Sequence, residues 1–257
     1  VPELRASALV EAPVQTVAGA LLDTSLITKF GVKVAGPLLC LGDELGGPLG
    51  VRLKVTRADL SGVSAEGDFL SLRTDLVPTA AGTMVVDLVS WTTPGGLLGR
   101  FVDVTVGRGM ALRVLEQRGD ALAKRCEALN QACVVVGAAI VRDGLLLAQQ
   151  RAYPESHAGQ WELPGGRVEP GEEPVDALVR ECDEELGVPV VVGDQVGPDI
   201  PLKEDLLLRV YAAKLDGGEP EALEHKAIRW LTAAEIPALD WLPADRVLVP
   251  ALEALLR

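Results

Sequence analysis

Histidine is almost missing from this chain: there are two in 257 residues, His157 and His225, and none in the first half. The four cysteines, Cys40, Cys126, Cys133 and Cys182, form no C-x-x-C pair and no cluster with histidine. These shortages exclude a structural zinc site and a disulfide framework, and a reduced, cytoplasmic protein is the default expectation. No run is apolar enough for a membrane span, and no stretch reads as a secretory signal. Positive charge is short as well, with 24 Lys and Arg against 37 Asp and Glu, a net of −13. Residues 1–130 account for only −1 of this and residues 131–257 for −12. With no basic stripe to release counterions, a nucleic-acid polymer is excluded as partner. A small polyphosphate remains compatible if metal ions shield the carboxylates.

Hydrophobic residues make up 48% of the chain, enough for one large core or two modest ones. Leu112 to Leu129 reads as an amphipathic helix with Leu112, Leu115, Leu122, Cys126 and Leu129 facing a core. The strand-like run Cys133 to Val141 begins after a three-residue connector, so the boundary falls between residues 130 and 131. A connector this short predicts packed rather than loosely tethered domains. The expected elements of 131–257 are strands at 134–141 and 145–150 around an Asp143-Gly144 turn, and a short strand near 161–163. A helix within 172–186 follows, then strands near 188–193, 206–215 and 227–230, and a final helix from about 244 to 256. Mixed strands with flanking helices predict a layered α+β architecture.

The most informative stretch is GRVEPGEEPVDALVRECDEELGV, residues 166–188. Glu181, Glu184 and Glu185 stand at i, i+3 and i+4 and share a helix face, where like charges repel unless something cationic sits between them. Clustered carboxylate oxygens suit hard divalent ions. Pro174 suits a first turn, Gly187 a position just past the last, and Val175, Leu178, Val179, Cys182 and Leu186 a buried stripe. Upstream, Pro164-Gly165-Gly166 predicts a tight loop whose backbone approaches a ligand closely.

These residues match the Nudix box, G-x5-E-x7-R-E-U-x-E-E-x-G-U with U apolar, at every position. The resemblance implies a Nudix fold for 131–257, an α/β/α sandwich around a mixed sheet. It implies hydrolysis of a nucleoside diphosphate linked to another group, with Mg²⁺ or Mn²⁺ as cofactor. Glu184 and Glu185 are then ligands, joined by the Gly165 carbonyl, and Glu181 is a ligand or the general base. Arg180 orients the acids, and Glu172 braces the loop. Glu224, six residues before Trp230 in an E-H-x4-W pattern typical of the MutT subgroup, is the further ligand expected outside the box, and His225 is a loop hydrogen-bonder. Arg151 matches an arginine that this subgroup places on the substrate phosphates. Leu163 and Trp161 lie near the base position, Trp161 more as core packing.

The stretches around Leu145–Arg151, Gly159–Gly166 and Leu242–Asp245 resemble MutT and CTP pyrophosphohydrolase-like enzymes, which release pyrophosphate from nucleoside triphosphates. Enzymes selecting 8-oxoguanine carry asparagine where this chain has Asp245. A carboxylate only accepts, which suits an exocyclic amine such as cytosine N4. The expected substrate is thus CTP, dCTP or a 5-methylated form. The alternatives are an oxidised purine triphosphate such as 8-oxo-dGTP, ADP-ribose or NADH as a weaker reading, a regulatory protein that senses a ligand or binds nucleotide, and an Asp245 that merely caps the last helix.

In 1–130 a strand at Leu4 to Val10, a helix from Pro13 to Leu22, several Gly-punctuated strands and a largely helical stretch from Gly95 to Leu129 follow one another. This order, and the residues GGLLGRFVDVTVGRGMALRVLE, resemble the helix-grip SRPBCC group, the START and polyketide-cyclase-like proteins. That resemblance implies an apolar cavity for a small apolar ligand. The alternative is a solid-cored domain that stabilises or dimerises its neighbour. No nucleophile or metal cluster assigns it chemistry, and the oligomeric state is left open.

Overall fold

A computed structural model describes residues 2–47, 50–92 and 108–257. The chain divides into two compact units, Val1–Asn130 and Gln131–Arg257.

Six antiparallel strands build the first unit: β1 (Glu3–Val10), β2 (Glu44–Gly46), β3 (Arg52–Asp59), β4 (Gly62–Glu66), β5 (Leu70–Thr79) and β6 (Gly82–Trp91), in spatial order β1-β6-β5-β4-β3-β2. Along β6 the burial alternates with a period of two, turning Thr83, Val85, Asp87 and Val89 inward. Helices α1 (Val14–Leu22) and α2 (Ser25–Thr28) precede β2, and α3 (Arg108–Asn130) packs on α1 and β1. Leu115, Leu122, Cys126 and Leu129 of α3 are buried, but Leu112, expected in the core, is exposed. The part of the expected helix at residues 95–107 lies outside the described residues.

The inward Asp87 is a departure from an apolar interior. Its Oδ1 accepts from Thr74 Oγ1 at 2.6 Å and from Arg118 on α3 at 2.7 Å. A hollow of about 280 Å³ between β1, β6 and α3 is lined by Ala6, Ala8, Leu115 and Leu122 together with this Asp87–Arg118 pair. The lining of this hollow is thus mixed, apolar side chains beside one ion pair.

In the second unit the strands are β7 (Cys133–Arg142), β8 (Leu145–Gln150), β9 (Trp161–Glu162), β10 (Val190–Gln195), β11 (Ile200–Lys203), β12 (Leu206–Leu215) and β13 (Ala227–Leu231). They form a mixed seven-stranded sheet along the path β10-β12-β7-β8-β13, with β11 on β12 and β9 on β8. Only β7 and β12 run parallel. Asp143 and Gly144, with φ of 52° and 74°, make the tight turn between β7 and β8.

Helix α4 (Pro174–Leu186) starts with proline in its first turn and ends on Gly187 at φ 67°. Its Ala177, Leu178, Cys182 and Leu186 pack with Val136, Ala138 and Ile140 of β7. Val175 and Val179 are exposed, against expectation, because the inward stripe is rotated to include Glu185. The other face of β7, at Gly137, meets Leu163. Leu163 in turn bonds α5 (Pro243–Leu255), so the helices flank the sheet as a sandwich.

Candidate active site

Strands β7 and β8 pair only next to their turn, at Val141–Leu146 and Arg142–Leu145. Beyond that they diverge, and the loop 164–168 lies along β7 in the gap. Ala138 N–H donates to Pro164 O at 2.7 Å, Val136 N–H to Gly166 O at 2.8 Å, and Val168 N–H to Val134 O at 3.0 Å. Gly165 is required by contact with backbone, while Gly166 makes room for the Glu181 carboxylate. A Cβ on Gly165 (φ 145°) would stand 2.1 Å from Val136 O, and one on Gly166 would stand 2.4 Å from the Glu181 carboxylate. The loop is thus wedged between β7 and the acidic helix.

Glu185 leaves α4 on the buried side and closes the wedge. Its Oε2 accepts from Gly165 N–H at 2.8 Å and from Gln149 Nε2 on β8 at 2.9 Å. Burial pushes its carboxyl up to about 7, against the lowering effect of those two donors. A loop returning from β12 covers it: Glu221 N–H and Leu223 N–H donate to the last carbonyls of α4, Leu186 O and Glu185 O, each at 3.0 Å. That seats His225 with Nδ1 3.6 Å from Glu185 Oε1 and Nε2 3.0 Å from Glu162 Oε1. Arg151 completes the chain of charges, its NH1 2.5 Å from Glu162 Oε2.

A cavity of about 90 Å³ results, lined by Arg151, Ala152, Tyr153, Glu162, Gly165, Glu185, Glu224 and His225. Five residues singled out in the sequence, Gly165, Glu185, Glu224, Arg151 and His225, therefore meet here. Glu181 and Glu184 do not line it. Both bond the Arg180 guanidinium, at 2.9 and 3.1 Å, so the cation between the two like charges is Arg180 itself. Arg180 also takes both oxygens of Glu172 at 3.0 Å, which holds that carboxyl below its usual range. Glu172 in turn accepts from Glu169 N–H at 3.0 Å. Among the described residues no three His, Cys, Asp or Glu side chains already converge as a cage for a metal ion.

The donors nevertheless fit a hard divalent cation. Three carboxylates, Glu162, Glu185 and Glu224, face a small polar cavity that Arg151 and His225 also line. Among the described residues the buried His225 Nδ1, on the cavity wall, has no hydrogen-bond partner. Oxygen ligands of this kind select Mg²⁺ or Mn²⁺ over softer metals.

Away from the cavity, Asp245 Oδ1 accepts from Leu163 N–H at 3.1 Å. The preceding loop is moored by Trp161: its N–H donates to Asp240 O at 2.9 Å and its carbonyl accepts from Leu242 N–H at 2.8 Å. The N-cap position of α5 is Leu242, so Asp245 lies inside the first turn and is not the cap. Burial pushes its carboxyl up to about 7.

A NUDIX domain profile matches residues 132–252. Over 121 residues the chain is 52% identical to the "Putative 8-oxo-dGTP diphosphatase 2" of Mycobacterium tuberculosis (strain ATCC 25618 / H37Rv), covering 46% of this chain and 84% of that protein. It is 38% identical to the "CTP pyrophosphohydrolase" of Escherichia coli (strain K12), over 47% of this chain and 88% of that one. The chain belongs to the Nudix family. Its second unit is a Nudix hydrolase domain, and Nudix hydrolases generally use divalent metals.

Glu162, which lines the cavity, and Gln149, which bonds Glu185, were not singled out from the sequence. Neither falls in the box. The signal for Glu162 was its place directly before Leu163 and the glycine loop; its partners Arg151 and His225 are distant in sequence.

Proposed function

We propose that the protein hydrolyses a nucleoside triphosphate to monophosphate and pyrophosphate with Mg²⁺, and that its preferred base is cytosine or a 5-methylated cytosine. The observation carrying the reading is that buried Glu185, bonded to Gly165 N–H, shares one small polar cavity with half-buried Arg151 and exposed Glu224. Glu184, Glu185, Glu224 and the Gly165 carbonyl would hold the cation, with Glu181 a further ligand or the general base. When bound, the cation neutralises phosphate charge and acidifies the attacking water. Arg151 meets the phosphates from the cavity wall, Arg180 keeps Glu181 and Glu184 apart and oriented, and the glycine loop lets the backbone approach the polyphosphate. The test is a panel of nucleoside triphosphates, a nucleoside diphosphate sugar and ADP-ribose with Mg²⁺ or Mn²⁺, assayed for pyrophosphate and monophosphate release. Pyrophosphate and monophosphate are expected together from CTP-type substrates. No cleavage anywhere in the panel overturns the enzyme reading in favour of nucleotide binding alone.

A second substrate reading has its own observation. The raised carboxyl of Asp245 is partly protonated near neutral pH, so it both donates and accepts. That removes part of the advantage of aspartate over asparagine for an amine edge and supports oxidised guanine as the alternative. Asp245→Asn is expected to lower kcat/KM for CTP by about tenfold relative to 8-oxo-dGTP, one mismatched hydrogen-bonding edge being worth about 1–3 kcal/mol. An equal loss on both substrates shows that Asp245 only braces Leu163. The same variant carries a pH signature. A carboxyl raised from 3.8 to about 7 in the fold contributes stability that is full below pH 3.8 and lost as pH rises through 7. Asp245→Asn should therefore gain in melting temperature over the parent between pH 5 and pH 8.

For the first unit we infer a helix-grip domain. The reading is supported by a strand, two helices, five further antiparallel strands and a long final helix in chain order. Its hollow suits a ligand with a polar group for Asp87 and Arg118 beside an apolar body.

A further inference from the structure

Glu185 is held by a residue that belongs to no motif. Gln149 lies in β8 with none of its surface exposed, next to Leu146, Leu147 and Ala148, which are equally buried. An amide in such a strand is costly unless its polar atoms are partnered, and Gln149 Oε1 has no partner. A methionine or leucine would fill the position without an orphaned atom. The polar side chain is therefore explained by what its other end does.

That end, Nε2, donates to Glu185 Oε2 at 2.9 Å, the oxygen that Gly165 N–H also reaches at 2.8 Å. Two donors from different segments, one on β8 and one on the glycine loop, converge on this one oxygen and hold it from two directions. The remaining oxygen, Oε1, accepts no hydrogen bond among the described residues; its neighbour is His225 Nδ1 at 3.6 Å.

We propose that Gln149 is a positioning residue for Glu185, binding Oε2 so that Oε1 alone is presented to the divalent cation. This rests on the reading of Glu185 as a metal ligand. Gln149 exchanges a well-packed apolar strand position for a rigid ligand, as partners behind metal-binding carboxylates do.

The test uses the full chain and Mn²⁺ alone as probe, followed by titration calorimetry and by Mn²⁺ electron paramagnetic resonance. Gln149→Met keeps the volume and removes the donor; Gln149→Leu is the second variant should the first fold poorly. The expected result is a loss of Mn²⁺ affinity of about 10–100-fold with no fall in the melting temperature of the metal-free protein. In turnover, the metal concentration for half activation should rise by a similar factor while kcat at saturating metal largely recovers. Unchanged Mn²⁺ affinity in Gln149→Met, with affinity lost in Glu185→Gln, overturns the proposal and leaves Glu185 as a ligand. Unchanged affinity in Glu185→Gln overturns the ligand reading itself. A fall in affinity matched by a fall in metal-free melting temperature assigns Gln149 a structural role and also overturns the proposal.

Discussion

Glu185→Gln is expected to lower kcat by about 10³-fold or more at saturating metal while leaving the fold intact. On the proposed reading of Glu185 as a metal ligand, losing its charge removes several kcal/mol of transition-state stabilisation, and each 1.4 kcal/mol is tenfold in rate. The fold survives because an amide oxygen can still accept from Gly165 N–H and Gln149 Nε2, the two donors that Glu185 now satisfies. Stability should even improve in the metal-free protein. Burial raises this carboxyl from 4.5 to about 7, so its contribution is full below pH 4.5 and lost as pH rises through 7. The glutamine has no such dependence. The melting temperature of Glu185→Gln should therefore exceed that of the parent at pH 8 and approach it at pH 5, while the rate of pyrophosphate release collapses at both. A rate within tenfold of the parent would show that the buried glutamate does not serve the reaction.

The combination separates two properties that the sequence presents as one. Glu181, Glu184 and Glu185 read as three equivalent acids on a helix face. In the fold they divide: two sit on Arg180 and one turns into the sheet. The division also explains the misreading of α4. Val175 and Val179 are apolar at helical spacing, which predicts core positions, yet they are exposed because the face that turns inward is the one carrying Glu185. Apolar periodicity counts only hydrophobic residues, so a buried carboxylate that is paid for by long-range donors shifts the stripe without any local trace.

Most of the second unit was legible because its elements are long and strongly patterned: β8 and β12 fall where the alternation and apolar runs place them. Strand β11 was not. It has four residues, one of them Pro201, and exists through pairing with β12 rather than through its own pattern. Gln149 and Glu162 were illegible for a related reason. They face each other across the β8–β9 pair, and each acquires its role from residues brought in by register, Glu185 from α4 and His225 from the loop after β12. In the first unit the alternation of β6 does not reveal that the inward Asp87 meets Arg118, a partner supplied by α3.

The glycine loop gives the largest expected effect on stability. Gly165→Ala is expected to destabilise the protein by about 3 kcal/mol or more and to abolish measurable turnover. Two costs coincide at this position. A φ of 145° lies in a region open mainly to glycine, worth about 1–3 kcal/mol of strain for another residue. The added Cβ would also stand 2.1 Å from Val136 O, a backbone atom that cannot swing aside as a side chain does. Relief requires moving the loop off β7, which breaks the bonds of Val136 N–H to Gly166 O and of Ala138 N–H to Pro164 O. It also withdraws Gly165 N–H from Glu185, which loses one of its two donors together with the loop that faces it. Gly171→Ala separates the two costs, because Gly171 has a φ of 87° but nothing within 4 Å of a built Cβ. Chemical denaturation of both variants should show a loss of about 1 kcal/mol for Gly171→Ala, from backbone strain alone, and a several-fold larger loss for Gly165→Ala. Equal losses would mean that the loop yields freely and that its close approach to β7 is not what holds Glu185 in place.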